Sequence, residues 1–217
     1  AVLEGAIRRL ITSVDGKPMI VPLSGGFDSR IIVLLLQRLG YDNIVTFSYG
    51  LSGNREASIS KEVAERLGLR WIFIPYSRSK WHDWFHSSER EAYYRYADGL
   101  ASLPHLQDWP AVKVLRQDRL IPEDSVFVPG HTGDFIAGGH VPQRLYGGRG
   151  RTADAGVQAI LQKHFWLNRI GTFDTEVQSA LQKRILHITE AVPTESPDRT
   201  INAFESWEWQ ERQAKFI

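Results

Sequence analysis

Val21-Pro22-Leu23-Ser24-Gly25-Gly26-Phe27-Asp28-Ser29-Arg30 is the stretch that decides the fold of this chain. It leads an apolar strand, residues 19–23, through a Ser-Gly-Gly turn into an apolar helix that ends at Gly40. Glycines let a backbone turn tightly and approach a ligand closely. The turn also leaves N–H groups unpaired at the positive end of a helix, and this arrangement favours anions.

The polar side chains of this turn indicate which anion it binds. Ser24 and Ser29 add hydroxyl groups, whereas the carboxylate of Asp28 can face a phosphate only with a cation between them. The pattern therefore predicts a site for pyrophosphate with Mg²⁺. It is not a Walker A loop, because no Lys-Ser or Lys-Thr pair follows the last glycine. The alternative is a glycine-rich turn that binds no nucleotide.

Composition restricts the chemistry that the chain can perform. It carries a formal net charge of +1, which gives no electrostatic footprint for nucleic acid, and it has no apolar run long enough for a bilayer. It contains no cysteine, so it holds neither a persulfide nor the cysteine nucleophile of a glutaminase. The lack of cysteine fits a cytoplasmic protein.

Strand and helix patterns alternate over the first half of the chain. The alternation predicts an α/β fold with a doubly wound parallel sheet, which binds ligands at the carboxyl ends of its strands. The predicted strands are 19–23, 44–48, 71–75 and 125–129, and the predicted helices between them include 55–67, 80–98 and 105–120, the last limited by Pro110. We predict an ATP-binding domain over 1–145 and a mainly helical continuation over 146–217, with no glutaminase domain. Because the chain begins at Ala1 and ends in a helical pattern, we expect it to be a piece of a longer protein.

A second glycine-rich segment, Pro129-Gly130-His131-Thr132-Gly133-Asp134, follows the fourth predicted strand. Loops after neighbouring parallel strands open into one crevice. Asp28 and Asp134 are therefore predicted to hold Mg²⁺ together with nucleotide phosphates. The alternative for Asp134 is a helix-cap carboxylate.

Two other groups of residues have open interpretations. Arg144, Arg149 and Arg151 either close over phosphates or belong to a solvated loop. An aromatic group between the third and fourth strands is expected to build core rather than a ligand cage. Its members are Trp81, Trp84, Phe85, Tyr93, Tyr94 and Tyr96.

The first segment resembles the PP-loop of the ATP pyrophosphatases, and the two segments together resemble the synthetase domain of the asparagine synthetase family, which includes β-lactam synthetase. The second motif of that family reads Ser-Gly-Glu-Gly-x-Asp-Glu and is followed shortly by Gly-Gly. The positions that match it here are Pro129, Gly130, Asp134, Gly138 and Gly139. The segments 24–30, 129–134 and 211–217 are more similar still to asparagine synthase-like proteins of bacterial surface-polysaccharide gene clusters.

The resemblance implies an ATP-dependent ligase that activates a carboxylate, such as a sugar acid, as an acyl-adenylate, releases pyrophosphate and forms an amide. ATP and Mg²⁺ are the implied cofactors, and any ammonia would come from solution, from a separate glutaminase or from chain beyond this sequence. The implied pyrophosphate and metal ligands are Ser24, Gly25, Gly26, Asp28 and Ser29, with Asp134 as a second metal ligand. The implied adenosine pocket consists of Leu23, Phe47, Ser48, Tyr49 and Gly130.

The chain departs from the family at its reaction centre. His131 and Phe135 replace the two glutamates of the second motif, and the family's catalytic lysine lies beyond 211–217. His131 is a candidate for proton transfer, or else it bonds to neighbouring backbone. Arg30 either reaches phosphate oxygens or forms an ion pair on a helix surface. Two other functions therefore stay open, a PP-loop ligase of lysidine type acting on tRNA and a nonenzymatic nucleotide-binding homologue.

Overall fold

A computed structural model of the chain describes residues 2–97, 104–131, 133–146, 153–165, 175–189 and 198–214, with the backbone alone at 134, 153 and 154. The described residues form two compact units, one up to residue 136 and one from residue 137 onward. The first unit contains α1 (Val2–Val14), β1 (Met19–Pro22), α2 (Phe27–Arg38), β2 (Ile44–Leu51), α3 (Arg55–Arg66), β3 (Arg70–Tyr76), α4 (Arg78–Phe85), α5 (Ser88–Ala97), α6 (Trp109–Gln117), β4 (Val126–Phe127) and α7 (Gly133–Ile136). The second contains a 3₁₀ turn (Gln143–Leu145), α8 (Ala153–His164), α9 (Thr175–Thr189), α10 (Arg199–Trp207) and a π-helical segment (Glu208–Gln213).

The four strands form one parallel sheet in the order β3-β2-β1-β4. The central strand β1 pairs with β2 from Met19 opposite Ile44 to Pro22 opposite Phe47, and it pairs with β4 from Met19 opposite Val126. Helices connect the strands, because a parallel pair cannot be joined by a tight turn. The α/β fold class and the parallel sheet predicted from the sequence are confirmed.

Helices cover both faces of this sheet. Met19 and Val21 lie in a core cluster with Val33 of α2, whereas Ile20 lies in a separate cluster with Leu115 of α6. Successive strand residues point to opposite faces, so β1 is apolar at every one of these positions. The covering of both faces is that of a doubly wound sheet.

The second unit is helical around its own core. Its buried cluster includes Ile160 of α8, Ile185 of α9 and Phe204 of α10. The predicted helical character is therefore right for the described part of this region, and the predicted domain boundary at 145/146 stays a prediction. Among the described residues, no helix is both long and apolar enough to cross a bilayer.

A buried carboxylate lies at the start of the π-helical segment. Glu208 is 3% exposed, and its Oε1 accepts a hydrogen bond from His164 Nε2 at 2.6 Å and another from Lys163 Nζ. Lys163 also donates to the carbonyl of His140 at 2.9 Å. Burial alone raises the pKa of Glu208, but the hydrogen bonds from His164 and Lys163 outweigh it and hold the pKa below its ordinary value of 4.5.

Two helix predictions are wrong. The single helix expected over 80–98 is two helices, α4 and α5, because Ser87 interrupts it and its Oγ accepts a hydrogen bond from the Arg90 backbone N–H at 3.2 Å. The helix expected over 105–120 is shorter: α6 begins at Trp109, so Pro110 limits it at its first turn, where the missing N–H costs no hydrogen bond. The helix α1 was not predicted at all.

The aromatic group on α4 and α5 is not core, contrary to expectation. Neither helix contains a buried residue, and Tyr96 is 92% exposed. Trp81 and Trp84 pack against Tyr76 at the end of β3, with ring centroids 5.8 Å and 5.0 Å away. Leu106, Trp109 and Pro110 line a small cavity together with Trp81, Trp84 and Phe85, so the rings are covered only in part. Of the three arginines, Arg144 donates to the Gln162 side chain, while 149 and 151 lie outside the described residues.

Candidate functional site

The predicted pyrophosphate loop runs from the end of β1 into α2. Its start is tied to the neighbouring strand, because the Leu23 N–H donates to the Phe47 carbonyl at 2.8 Å. Gly26 is the N-cap residue of α2, and no side chain caps the helix there. The first-turn N–H groups have no partners within their own helix, so they form an open donor end suited to an anion.

The two serines of the loop hold its shape. The buried Ser29 Oγ accepts a hydrogen bond from the Ser24 N–H at 3.1 Å, and Ser24 Oγ accepts one from the Gly26 N–H at the same distance. The two hydroxyl oxygens are 3.3 Å apart, and one hydrogen serves that contact. The other hydroxyl hydrogen is left to donate to a ligand oxygen.

Arg30 binds the loop itself. Its Nε donates to the Gly26 carbonyl at 2.9 Å, and Nη2 donates to the Gly25 carbonyl. The guanidinium also lies over the Phe27 ring, 5.1 Å from the centroid. Within the described part of the chain, the surface ion pair considered for Arg30 is not formed. Its contact with phosphate stays a prediction.

The second glycine-rich segment lies directly against the first. A β-carbon on Gly130 would stand 2.9 Å from the Ser29 backbone nitrogen, and one on Gly133 would stand 2.6 Å from the Asp28 β-carbon. Only glycine fits at this separation, since ordinary contacts of a β-carbon are longer. The structure therefore brings the two predicted loops together at one end of the sheet.

The structure describes only part of the predicted metal site. Asp28 lies in the first turn of α2, and the backbone of Asp134 follows Gly133 in α7. The side chain of Asp134 lies outside the described residues, so joint binding of Mg²⁺ by Asp28 and Asp134 stays a prediction. His131 is exposed on the turn before α7, and its role in proton transfer likewise stays a prediction.

The donor set around Asp28 fits Mg²⁺ that arrives with a nucleotide. Among the described side chains, no group of three or more His, Asp or Glu could hold a metal ion. Mg²⁺ commonly needs only one or two carboxylates, with phosphate oxygens and water completing its shell. The carboxylate of Asp28, next to the N–H groups of the first turn of α2, meets that requirement.

The side chains of the predicted adenosine pocket are largely in the core. Leu23 is 2% exposed, and Phe47 is 1% exposed and packs edge-on against Phe127 at 6.1 Å. These two residues can therefore contact a ligand only through their backbone. Tyr49 is partly exposed, its ring stacks on Tyr76 at 5.3 Å, and burial raises the pKa of Tyr49 to about 12, which keeps the phenol neutral.

Ser48 has a structural use that the sequence did not indicate. Its hydroxyl donates to the Leu23 carbonyl at 2.7 Å, accepts from Trp71 Nε1 at 3.1 Å and pairs with Ser60 Oγ at 2.6 Å. Ser60 Oγ also donates to the Ala57 carbonyl at 3.0 Å, so its single hydrogen serves either that carbonyl or Ser48. Ser48 therefore anchors the residue that precedes the pyrophosphate loop.

Four residues near the site were not assigned to it from the sequence. Ser60 and Trp71 complete the hydrogen bonds of Ser48, and Gly133 admits Asp28. Glu56 of α3 lies against the loop, with its Cα 3.6 Å from where a β-carbon of Gly25 would stand. Of these, Gly133 had a sequence signal, the glycine spacing of the second segment.

The predicted pyrophosphate loop lies in a segment that matches a known protein family. Residues 1–86 match the model of the asparagine synthase family. Over this segment the chain is similar to that family. The resemblance inferred from residues 24–30 is confirmed there, and the closer relationship to proteins of polysaccharide clusters stays a prediction.

No curated protein matches the chain. Among solved structures, the chain is similar to an NH3-dependent NAD synthetase from Campylobacter jejuni in complex with the nitrate ion, with 13% sequence identity and a TM-score of 0.42. That alignment covers 99% of this chain and 93% of the synthetase. The fold assignment rests on the parallel sheet, its two covered faces and the family match.

Proposed function

We propose that the chain is an ATP-dependent ligase of the asparagine synthetase type, which activates a carboxylate as an acyl-adenylate and then forms an amide. The observation that carries the proposal is the approach of Gly130 and Gly133 to Ser29 and Asp28. It joins an anion-binding loop to a second glycine-rich loop at the carboxyl ends of parallel strands, where such sheets bind ligands. The family match over residues 1–86 supports the use of ATP.

In the first half-reaction, a carboxylate oxygen attacks the α-phosphorus of ATP. The bond from that phosphorus to the oxygen bridging to the β-phosphate breaks, and pyrophosphate leaves with the bonding electrons. The first-turn N–H groups of α2 and the hydroxyls of Ser24 and Ser29 would stabilise the charge that gathers on the phosphate oxygens. Mg²⁺ bound with the nucleotide supplies further charge neutralisation, and Asp28 and Asp134 would hold it.

In the second half-reaction, an amine or ammonia nitrogen attacks the acyl carbon, and AMP leaves. The nitrogen then loses a proton. His131 is the proposed acceptor, because it follows Gly130 in the loop that contacts Ser29 and because imidazole exchanges protons near neutral pH. The family has a glutamate at this position, near the reacting acyl group, and His131 replaces it.

The substrate and the partner rest on the resemblance alone. We propose a small-molecule or sugar-acid carboxylate as the acceptor, with ammonia from solution or from a separate glutaminase. Cytoplasmic location and a role in polysaccharide biosynthesis belong to the same proposal. A near-neutral net charge of +1 supports a small substrate over tRNA.

The test is exchange of labelled pyrophosphate into ATP, measured against a panel of amino acids and uronic acids with Mg²⁺. We expect one class of acid to drive exchange, Asp28→Asn to abolish it, and Asp42→Asn, in an exposed turn, to leave it unchanged. Nucleotide binding without exchange under any acid would favour the nonenzymatic homologue. Salt-sensitive tRNA binding, with exchange of no free acid, would favour the lysidine-type ligase.

A further inference from the structure

We propose that Arg30 is the positioning residue of the pyrophosphate loop, and that it acts by fixing two peptide units rather than by lending charge to the phosphate. The inference rests on the proposed function, since it concerns the loop that would bind pyrophosphate. It assigns to Arg30 a role through Gly25 and Gly26, the residues that its guanidinium contacts.

The contact uses one edge of the guanidinium. Nε and Nη2 lie on the same side of the planar group, and they donate to the carbonyls of Gly26 and Gly25, respectively. The fixed spacing of two donors is a property of arginine that lysine does not share. The two carbonyls are successive along the chain, so the clamp fixes two neighbouring peptide planes at once.

The clamp determines where the N–H groups of these peptides point. In a trans peptide unit the C=O and the N–H point in opposite directions, and the described peptide bonds are all trans. The Gly25 carbonyl shares its plane with the Gly26 N–H, and the Gly26 carbonyl shares its plane with the Phe27 N–H. Holding both carbonyls toward Arg30 therefore turns both N–H groups away from it. One of them reaches Ser24 Oγ at 3.1 Å, and the other is the first donor of the uncapped α2.

A glycine pair needs such a restraint. Glycine loses more conformational freedom on ordering than any other residue, so a Gly25-Gly26 loop without the clamp would sample orientations that do not serve an anion. A ligand would then have to order the loop as it binds, which lowers affinity. The Phe27 ring, 5.1 Å below the guanidinium, keeps the arginine side chain in the clamping position.

Replacing arginine separates geometry from charge. Arg30→Lys keeps the positive charge but has no pair of parallel donors, and Arg30→Gln loses the charge as well. If Arg30 positions the loop, both variants should bind pyrophosphate with Mg²⁺ about 10-fold or more weakly, and by similar factors. The salt dependence of binding should stay as in the unaltered chain for Arg30→Lys, because that variant keeps the positive charge beside the loop. Arg38→Gln, in the last turn of the same helix, is the matched control.

The experiment is calorimetric titration of the full chain with Mg²⁺-pyrophosphate and with a non-hydrolysable ATP analogue. Arg30→Ala is titrated with added ethylguanidinium and, separately, with ethylammonium, and thermal unfolding is followed for each variant. We expect ethylguanidinium to restore affinity and ethylammonium to leave it low, at unchanged melting temperature. If the affinity of Arg30→Ala were low only because its fold is disturbed, the two added cations would have the same effect on it.

The outcomes separate the two proposals. If the unaltered chain binds neither probe, the proposed function fails and the positioning role falls with it. If the unaltered chain binds and Arg30→Lys binds equally well, or if both cations rescue Arg30→Ala alike, charge alone explains Arg30 and only the positioning role is overturned.

Discussion

Gly130 lies so close to Ser29 that a β-carbon at position 130 would stand 2.9 Å from the Ser29 backbone nitrogen and 3.2 Å from its α-carbon. The atoms it would meet belong to the backbone at the start of α2, which cannot move aside as a flexible side chain would. The separation of the two glycine-rich loops is therefore set by the absence of one methyl group.

Gly130→Ala should push the second loop away from the pyrophosphate loop. We expect the affinity for an ATP analogue to fall about 10-fold, with a loss of stability of about 1–3 kcal/mol from overpacking. Gly139→Ala is the control, because no heavy atom lies within 4 Å of its added β-carbon. Calorimetry and urea denaturation measure the two effects, and equal behaviour of the two variants would contradict the close approach.

Asp28→Ala should remove the Mg²⁺-dependent part of ATP binding with little effect on folding. Asp28 is partly exposed and lies beside the open N–H groups of α2, so its carboxylate serves the site more than the core. Titration with a non-hydrolysable ATP analogue, with and without Mg²⁺, measures this, and Asp42→Ala serves as the exposed control. Unchanged affinity would rule out the metal role of Asp28.

Ser48→Ala should destabilise the fold more than it weakens nucleotide binding. The change leaves the Leu23 carbonyl and the Trp71 indole N–H without their partner in a buried site, which costs about 1–3 kcal/mol. Urea denaturation measures the loss. Ser58→Ala removes an exposed hydroxyl from the same helix as Ser60 and should change stability little. A loss of affinity at full stability would instead place the Ser48 hydroxyl on the ligand.

The buried Glu208 should make stability depend on acid pH. Its pKa in the folded chain lies below the ordinary value of 4.5, so its ionised form contributes stability fully above pH 4.5. That contribution is lost as the pH falls through the lower folded pKa. Glu208→Gln should cost about 2–3 kcal/mol at pH 7 and much less at low pH.

Thermal unfolding of both proteins across this pH range tests the Glu208 prediction. Glu205→Gln is the control, since that carboxylate is 36% exposed and lies 3.8 Å from His140. A stability difference between the unaltered chain and Glu208→Gln that stays constant down to acid pH would show that the ion pairs of Glu208 do not stabilise the fold.

The sheet and the pyrophosphate loop were predictable because their signals are local. Apolar runs bounded by glycines give the strands, and the Ser-Gly-Gly turn and the helix after it are contiguous in sequence. The meeting of the two loops followed from the rule that neighbouring parallel strands end at the same edge. The close fit of Gly130 and Gly133 then depends on backbone positions that no local pattern specifies.

The features that the sequence did not predict depend on contacts between residues that are far apart in the chain. The contacts of Ser48 require Leu23, Ser60 and Trp71 to converge on one hydroxyl, so a family resemblance alone assigns it to the ligand. The aromatic residues of α4 have the composition of a core, yet none of them is buried, and segment 106–110 covers them only in part. Whether a given side chain is buried depends on the whole fold, whereas its residue type gives only an average tendency to be buried.

The short strand β4 has a consequence for the order in which the site assembles. It adds only Val126 and Phe127 to the sheet, anchored through the N–H groups of Val126 and Val128 to the carbonyls of Pro18 and Ile20. The three strands β1, β2 and β3 can fold first, with their helices, as a cooperative unit. The loop at Gly130 then joins this unit through β4, which few hydrogen bonds hold in the sheet. A nucleotide that bridges both loops should fasten this edge, so bound ligand should slow amide hydrogen exchange at Val126 and Val128 more than at the centre of β2.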